Sequence, residues 1–251
     1  MLLKIRKILA LLGVLFLTTL KTQAALSLPT LNIGVSQMNT PQEFSQGVQI
    51  LIMLTILTLA PSIVIMTTAF IRIVIVLSLT RQAIGTTSLP PNQVIVGLAL
   101  ILTFFVMSPT LSKINETAYQ PYMKNAITQQ QALDNSLVPL RDFMFKQTHE
   151  SELALFVKLS KIEKPKTKQD VPTYVLIPSF VLSELKTAFK IGFIIFLPFL
   201  VIDLVVASVL VSMGMMFLPP TTIAMPFKLI MFVMVDGWFL ITKSLIEGFA
   251  N

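Results

Sequence analysis

The sequence predicts an all-α membrane protein in which two long helical hairpins lie on either side of a polar, helical insert. Hydrophobic residues make up 54% of the 251 residues and charged residues only 12%, a composition outside the range of soluble domains. The apolar residues gather in two blocks long enough to cross a lipid bilayer. Each block contains a double proline, which cannot continue a helix and therefore predicts a hairpin turn.

Residues 1–24 are predicted to be a cleaved secretory signal peptide. Basic side chains flank an apolar run over residues 8–20, and this run is too short to cross a hydrocarbon core of about 30 Å as a helix. The small residues Ala24 and Ala25 follow it, as a signal peptidase site requires. An uncleaved anchor is the alternative. Cleavage leaves residues 25–47 as an N-terminal extracytoplasmic segment.

The signal peptide also explains most of the basic character of the chain. The formal net charge is +7, and four of these positive charges come from basic residues of the signal peptide, namely Lys4, Arg6, Lys7 and Lys21. The basicity of the remaining chain therefore carries little functional information. We expect no nucleic-acid partner.

The first helical hairpin is expected over residues 48–109. Its arms are residues 48–79 and 94–107, and the loop between them contains Pro90-Pro91. At the helical rise per residue these arms would measure about 48 Å and about 21 Å, so neither matches the thickness of a bilayer. A tilt and a kink at Pro61 would absorb part of the mismatch. Otherwise protein, rather than lipid, covers part of this apolar surface.

The second helical hairpin is expected over residues 191–242, with its turn at Pro219-Pro220. A C-terminal tail follows over residues 243–251. Between the two hairpins, residues 110–190 hold most of the charged residues found outside the signal peptide. Because two spans and an extracytoplasmic segment precede them, these residues are expected to form an extracytoplasmic insert, and its length exempts its lysines from the positive-inside rule.

The insert is predicted to be helical because amphipathic runs alternate with helix breakers. Its two main helices are expected over residues 129–147 and 150–161. Thr148 is expected to cap the second, which carries acidic residues in its first turn. Residues 163–170 are predicted to form a solvated loop.

Four ionisable residues interrupt the apolar blocks: Arg72, Asp203, Lys228 and Asp236. Charge in such a segment is costly, so each is expected to be buried against a partner or a water-filled cavity, or to contact another subunit. In a straight hairpin with its turn at Pro219-Pro220, Lys228 lies about 12 Å nearer the turn than Asp203 along the helix axis. This favours an Asp203–Lys228 pair between two copies of the chain. A pair within one chain and a proton relay are the alternatives.

Methionines cluster near the turn of the second hairpin. Gly214 precedes Met215, Met216 and Phe217, and Pro219-Pro220 follows. Methionine is unbranched and polarizable, so it packs around changing shapes. Irregular backbone at membrane depth is tolerated only against protein or a cavity. We therefore expect these side chains to form a soft ring that lines a pore between several copies of the chain. Ordinary core filling is the alternative.

The residues favour no enzyme. Cysteine is absent and His149 is the only histidine, so thiolate chemistry is excluded and a paired metal-ligand motif is missing. A phosphate-binding glycine loop is also missing, and we expect neither a metal nor a cofactor. A secondary transporter or proton channel, with Asp203, Lys228 and Asp236 as a relay, is the alternative function. A scaffold without a pore is a third.

Several long motifs, in order along the chain, resemble the FliP family of flagellar type III export-gate proteins. The resemblance covers nearly all of the chain after about residue 45. The motifs are 80–85 (TRQAIG), 90–94 (PPNQV), 183–189 (SELKTAF), 203–220, 226–228 (PFK) and 235–238 (VDGW).

The resemblance implies a role in protein export. FliP-like proteins assemble several copies of themselves with FliQ and FliR into a pseudo-helical oligomer, the export gate, at the centre of the flagellar basal body. The gate lies in the bacterial inner membrane, with much of the assembly on the extracytoplasmic side and its helices largely raised out of the bilayer. Unfolded flagellar proteins pass through it, and FlhB and FlhA are expected as further partners.

The resemblance also implies roles for single residues. The family's methionine gasket, which closes the pore, corresponds to Met215 and Met216, and Phe217 stands where a third methionine is common. The family's buried aspartate and lysine correspond to Asp203 and Lys228. Two aromatic residues, Phe143 and Phe156, match positions that pack between subunits. All of these are expectations for this chain.

Overall fold

The computed structural model describes residues 41–86, 88–162, 165–215 and 217–250. The predicted signal peptide and most of the N-terminal segment lie outside this part of the chain. Every regular element within the described ranges is helical, which confirms the predicted all-α class. The chain divides into two units, residues 1–54 and 55–251.

Nine α-helices cover most of the described residues. They are α1 Pro41–Met66, α2 Phe70–Ile84, α3 Asn92–Ile114, α4 Gln120–Met123, α5 Gln129–Gln147, α6 Glu150–Leu159, α7 Thr173–Ser212, α8 Pro220–Met234 and α9 Gly237–Ala250. A π-helical turn, Asn115–Tyr119, joins α3 to α4.

Three stretches of helix within the described residues are long and apolar enough to cross a membrane. They are Gly47–Met66, Asn92–Met123 and Thr173–Ser212. Helices α8 and α9 make a fourth span if they are taken together across their bend of 63°. The membrane location expected from composition is therefore supported by the lengths of the helices.

The first hairpin differs from its prediction. One helix was expected over residues 48–79, but α1 ends at Met66 and α2 begins at Phe70. The hydroxyls of Thr67 and Thr68 donate to the carbonyls of Ile63 and Ile65, both at 3.0 Å. Such side-chain bonds compete with the helical ladder and bend it. Pro61, the predicted kink, lies inside α1 without ending it.

Helices α3 and α7 are longer than the arms predicted for them, whereas the last arm of the second hairpin, predicted as one helix over residues 223–242, is broken between α8 and α9. Helix α3 extends over 23 residues, about 34 Å at the helical rise, which is enough for a span. Helix α7 extends over 40 residues and begins at Thr173. Part of the segment expected to belong to the polar insert is therefore the first half of this long apolar helix.

The helices of the insert are close to their prediction. Helix α5 has the expected bounds, and Thr128 and Gln131 form a capping box at its start. The expected cap of α6 is wrong, because the N-cap residue is His149. The Thr148 hydroxyl donates instead to the carbonyl of Met144 at 2.7 Å, which leaves no role for it at the start of α6.

Helix α2 packs along α7 to form the centre of the fold. Ile73, Val76 and Leu77 of α2 are fully buried, as are Leu176 and Phe180 of α7. Farther along α7, Gly192 lies directly against Leu79: a Cβ at Gly192 would be 2.3 Å from Leu79 Cδ1 and 3.2 Å from Leu79 Cβ. The missing side chain of Gly192 is therefore what allows the two helices to approach here.

We expect Gly192→Ala to lower the stability of the chain by up to about 2 kcal/mol, because an overpacking cost of about 1–3 kcal/mol is partly offset by the roughly 1 kcal/mol that alanine gains in a helix. Gly97→Ala is the matched control, because a Cβ at Gly97 meets no atom within 4 Å. Alanine is the better helix former by about 1 kcal/mol, so this control should unfold at the same temperature as the parent chain or higher. Thermal midpoints in detergent measure both. Equal midpoints for the two variants would contradict the close approach.

Candidate functional site

The turn of the second hairpin is a loop over residues 213–219 rather than a double proline alone. Helix α7 ends at Ser212 in a Schellman motif: Gly214 has φ +75°, its N–H donates to the carbonyl of Val211 at 3.0 Å, and the N–H of Met215 donates to the carbonyl of Leu210 at 2.9 Å. Pro219 then caps α8. The positive φ favours glycine at this position.

The loop presents its large apolar side chains outward. Met213, Met215 and Leu218 are exposed, and Phe217 is 99% exposed. Met216, a predicted gasket residue, lies outside the described residues. In the described part of the single chain nothing covers Phe217, so the loop requires lipid or another protein against it. Sealing of a pore by Met215, Met216 and Phe217 stays a prediction.

Lys228 pairs with Asp203 within one chain. Its Nζ donates to Asp203 Oδ2 at 2.6 Å, so the inference that favoured a partner in a second copy was wrong. That inference failed because it placed the turn at Pro219-Pro220 alone. Because the loop takes up residues 213–219, Asp203 lies nine residues before the end of α7 and Lys228 eight residues after the start of α8. Their depths therefore differ by only about 1.5 Å.

The two partners of this pair differ in their access to solvent. The side chain of Lys228 is 6% exposed and that of Asp203 is 32% exposed. The second carboxylate oxygen of Asp203, Oδ1, is buried and has no hydrogen-bond partner among the described residues. Both residues line a cavity of about 540 Å³, together with Gln82, Thr221 and Thr222. The exposed part of Asp203 therefore faces this cavity, whereas Oδ1 is shielded from it.

Arg72, another of the predicted buried charges, is paired within the chain, with a partner that the sequence analysis did not identify. Its guanidinium makes a bidentate ion pair with Glu184 of α7, with Nε donating to Oε2 at 2.9 Å and Nη2 to Oε1. Arg72 is 4% exposed and Glu184 is fully buried. Two further N–H groups donate to Gln147 Oε1 at 2.9 Å and to the carbonyl of Gly248 at 3.2 Å. Four of the five N–H donors of the guanidinium therefore have a partner.

The end of α9 completes this cluster. The Arg72 guanidinium lies 3.9 Å from the ring centroid of Phe249, a distance typical of a cation–π contact. Gln147 Nε2 donates to the carbonyl of Phe249 at 3.4 Å. The last carbonyls of a helix have no partner within it, so Arg72 and Gln147 satisfy two of them. Arg72 thereby joins α2, α5, α7 and α9.

Sequence reasoning missed Glu184, Gln147 and Phe249. The predicted second hairpin begins at residue 191, which places Glu184 among the charges of the polar insert. In the structure Glu184 lies on the apolar helix α7 between Ser183 and Leu185. A carboxylate inside an apolar run was the signal that would have identified it as the counter-ion of Arg72.

The remaining predicted residues lie apart from these pairs. Asp236 is exposed at the bend between α8 and α9, where it has φ +53°. Phe143 belongs to the core of the chain, 5.9 Å from the ring of Phe180 and 6.2 Å from that of Phe249, and Phe156 is partly buried against the same core. Contacts of Asp236, Phe143 and Phe156 with other subunits stay predictions.

A third ion pair joins the insert to α7. Lys186 Nζ donates to Glu152 Oε1 at 2.8 Å, and the Ser151 hydroxyl donates to Glu152 Oε2 at 2.6 Å. The hydrogen bond from Lys186, followed by that from Ser151, lowers the pKa of Glu152 to about 2.

This ion pair predicts a pH dependence. A lowered pKa in the folded chain stabilises it above the ordinary pKa of a glutamate, and this stabilisation disappears as the pH falls through the folded value. We expect Lys186→Met to lower the thermal midpoint at pH 7 and to have little effect near pH 2. Midpoints measured from pH 7 to pH 2 check this. A difference between the two chains that does not shrink toward pH 2 would contradict it.

Known proteins provide an independent comparison. The model of the FliP family matches residues 53–245. The chain is 51% identical over 217 residues to the flagellar biosynthetic protein FliP of Bacillus subtilis (strain 168), covering 86% of this chain and 98% of that protein. It is 47% identical over 237 residues to FliP of Borreliella burgdorferi, covering 92% and 91%. Apolar spans, a methionine loop and matches over nearly the whole chain agree: this chain belongs to the FliP family.

Proposed function

We propose that this chain is a core subunit of the flagellar type III protein export gate. Several copies, together with FliQ and FliR, surround a central opening through which unfolded flagellar proteins pass. FlhB and FlhA contact this assembly in the flagellar basal body. The gate lies in the bacterial inner membrane, with much of the assembly on the extracytoplasmic side. Membership of the FliP family supports this proposal, and so does the loop at the turn of the second hairpin.

The observation that carries the proposal is the exposure of this loop. Phe217 is 99% exposed at the tip of a hairpin, and Val201, Val205 and Val209 form an exposed apolar row along one of its arms. The backbone of residues 213–215 and 217–219 is irregular, and at membrane depth such backbone requires protein or a cavity against it. In an assembly of several subunits around a shared opening, neighbouring subunits cover the apolar arms of the hairpin. The loop at the tip of each hairpin then faces the opening.

The loop has the physical properties of a reversible seal. Contacts between apolar side chains are individually weak, numerous and without fixed direction, and methionine adapts to changing shapes. An unfolded chain therefore displaces Met215, Met216 and Phe217 without breaking any strong bond. The Schellman motif at Gly214 and the cap at Pro219 hold the two ends of the loop, so the side chains return to their places when the chain has passed.

The seal is tested by Met215→Ala combined with Phe217→Ala. We expect cells that produce this variant with FliQ and FliR to leak small ions, because removing two large side chains per subunit opens the closed channel. Met234→Ala combined with Phe239→Ala is the matched control: it removes the same two side-chain types from exposed positions outside the loop. A membrane-potential dye measures the leak.

Two outcomes would contradict the seal. A scaffold without a pore predicts no leak from either variant. A general weakening of the assembly predicts equal leaks from both. The mass of the complex purified in mild detergent with co-produced FliQ and FliR distinguishes a leaking gate, which keeps its subunits, from one that has lost them.

A further inference from the structure

A basic cavity lies between the end of α3, the end of α5 and the loop before α7. Its volume is about 410 Å³, and three lysines, Lys113, Lys146 and Lys168, line it together with one carboxylate, Asp142. None of the three ammonium groups makes an ion pair or a hydrogen bond with any described residue. The cavity therefore carries an excess of positive charge that the chain itself does not neutralise.

The backbone that holds these lysines is well fixed. Lys113 and Lys146 lie in the last turns of α3 and α5. The loop of Lys168 is held by Arg141, which donates to the carbonyl of Val171 at 2.6 Å and to the hydroxyl of Thr173 at 2.6 Å. The three side chains thus come from three separate elements, each anchored independently of the cavity.

An apolar row leads from the cavity along α3, which belongs to a stretch apolar enough to span a membrane. Ile101, Phe105, Pro109 and Lys113 follow one another at intervals of four residues on α3, so they form one row on its surface. All four are exposed, and Pro109 and Lys113 line the cavity. Because α3 belongs to a stretch apolar enough to span a bilayer, this row leads from the lysines toward the hydrocarbon.

We infer that the cavity binds the phosphate headgroup of an anionic phospholipid, whose acyl chains lie along the row on α3. Three lysines with a single carboxylate select a negatively charged group, and lysine binds phosphate as a compact point charge. Basic pockets between membrane helices bind such headgroups. The apolar row beside the lysines favours a lipid over a free phosphate, since a free phosphate gains nothing from it.

Binding of phosphatidylglycerol to the purified full-length chain in detergent tests the inference. We expect Lys113→Gln, Lys146→Gln and Lys168→Gln together to weaken binding roughly a hundredfold, because each lysine near an anionic surface contributes about fivefold. The corresponding triple arginine variant keeps the charges and should bind within about twofold of the parent. Lys124→Gln, Lys158→Gln and Lys190→Gln together remove the same charge outside the cavity and should leave binding unchanged.

Three results would overturn the inference. One is equal binding of phosphatidylcholine, which has no net charge. Another is binding of inorganic phosphate as tight as that of the lipid, which would show a site for a free anion only. The third is equal loss of binding in both glutamine variants, which would show a nonspecific effect of charge. The lysines are exposed, so all variants should unfold near the parent temperature without lipid. The assay measures lipid binding by the purified chain and not protein export, so its result is independent of the function proposed above.

Discussion

Replacing Glu184 with alanine should lower the stability of the chain by about 3–5 kcal/mol, because it leaves the buried guanidinium of Arg72 without its counter-ion. A typical domain is stable by only about 5–15 kcal/mol. In a chain of this size such a change lowers the thermal midpoint by roughly 10 °C. The midpoint in detergent and the amount of intact chain in the membrane fraction measure the effect.

The same substitution at an exposed ion pair is the control. Glu247 lies 3.9 Å from Lys243, and both side chains are more than half exposed. Glu247→Ala should therefore change the stability by less than about 1 kcal/mol. The double variant Arg72→Met with Glu184→Leu should be more stable than Glu184→Ala, since no unpaired charge remains. Similar losses in Glu184→Ala and Glu247→Ala would show that the Arg72 cluster is not a buried ionic centre.

Replacing Asp203 should destabilise the chain more than replacing its partner Lys228. Asp203→Ala leaves a nearly buried ammonium group unpaired, at a cost of about 3–5 kcal/mol. Lys228→Met leaves a carboxylate that is one-third exposed and borders a cavity with room for water, so its loss should be about half as large. Thermal midpoints of the two single variants and of the double variant measure the difference.

This comparison also separates the export gate from the proton relay considered as an alternative. In a gate, Asp203 acts by holding α7 to α8, so the double variant Asp203→Ala with Lys228→Met should recover part of the assembly with FliQ and FliR that Asp203→Ala loses. In a relay, Asp203 carries protons. Loss of proton flux from Asp203→Ala, with stability and assembly unchanged, would contradict the structural role proposed for the pair.

The elements were easier to predict than their ends. Composition and double prolines predicted the all-α membrane class, and the amphipathic run over residues 129–147 predicted α5 with its bounds, because these signals are local. The break at Thr67 was missed, since two consecutive threonines do not stop a helix unless their hydroxyls turn to the preceding carbonyls. The start of α7 at Thr173 was missed because polar residues near its N-terminus resemble those of the insert.

Part of the candidate site was also predictable from local signals. Arg72, Asp203 and Lys228 stand out in apolar runs, so their burial or pairing was foreseeable from the cost of charge in such segments. The sequence analysis did not identify Glu184 as the partner of Arg72, and it favoured an Asp203–Lys228 pair between two copies rather than within one chain. The observed turn is a loop of seven residues rather than Pro219-Pro220 alone, and Asp203 and Lys228 therefore lie at nearly the same depth. Neither helix alone has a feature that predicts this.

The sequence by itself determined that this chain is helical, enters a membrane, and carries a methionine-rich loop between two apolar arms, because composition, helix breakers and motifs act through neighbouring residues. Only the tertiary structure decided which charges meet. Arg72 and Glu184 are separated by 112 residues, and their contact depends on how α2 lies against α7. The packing of two helices depends on the shapes of both surfaces, so the sequence of either helix alone does not determine which of its residues meet the other helix.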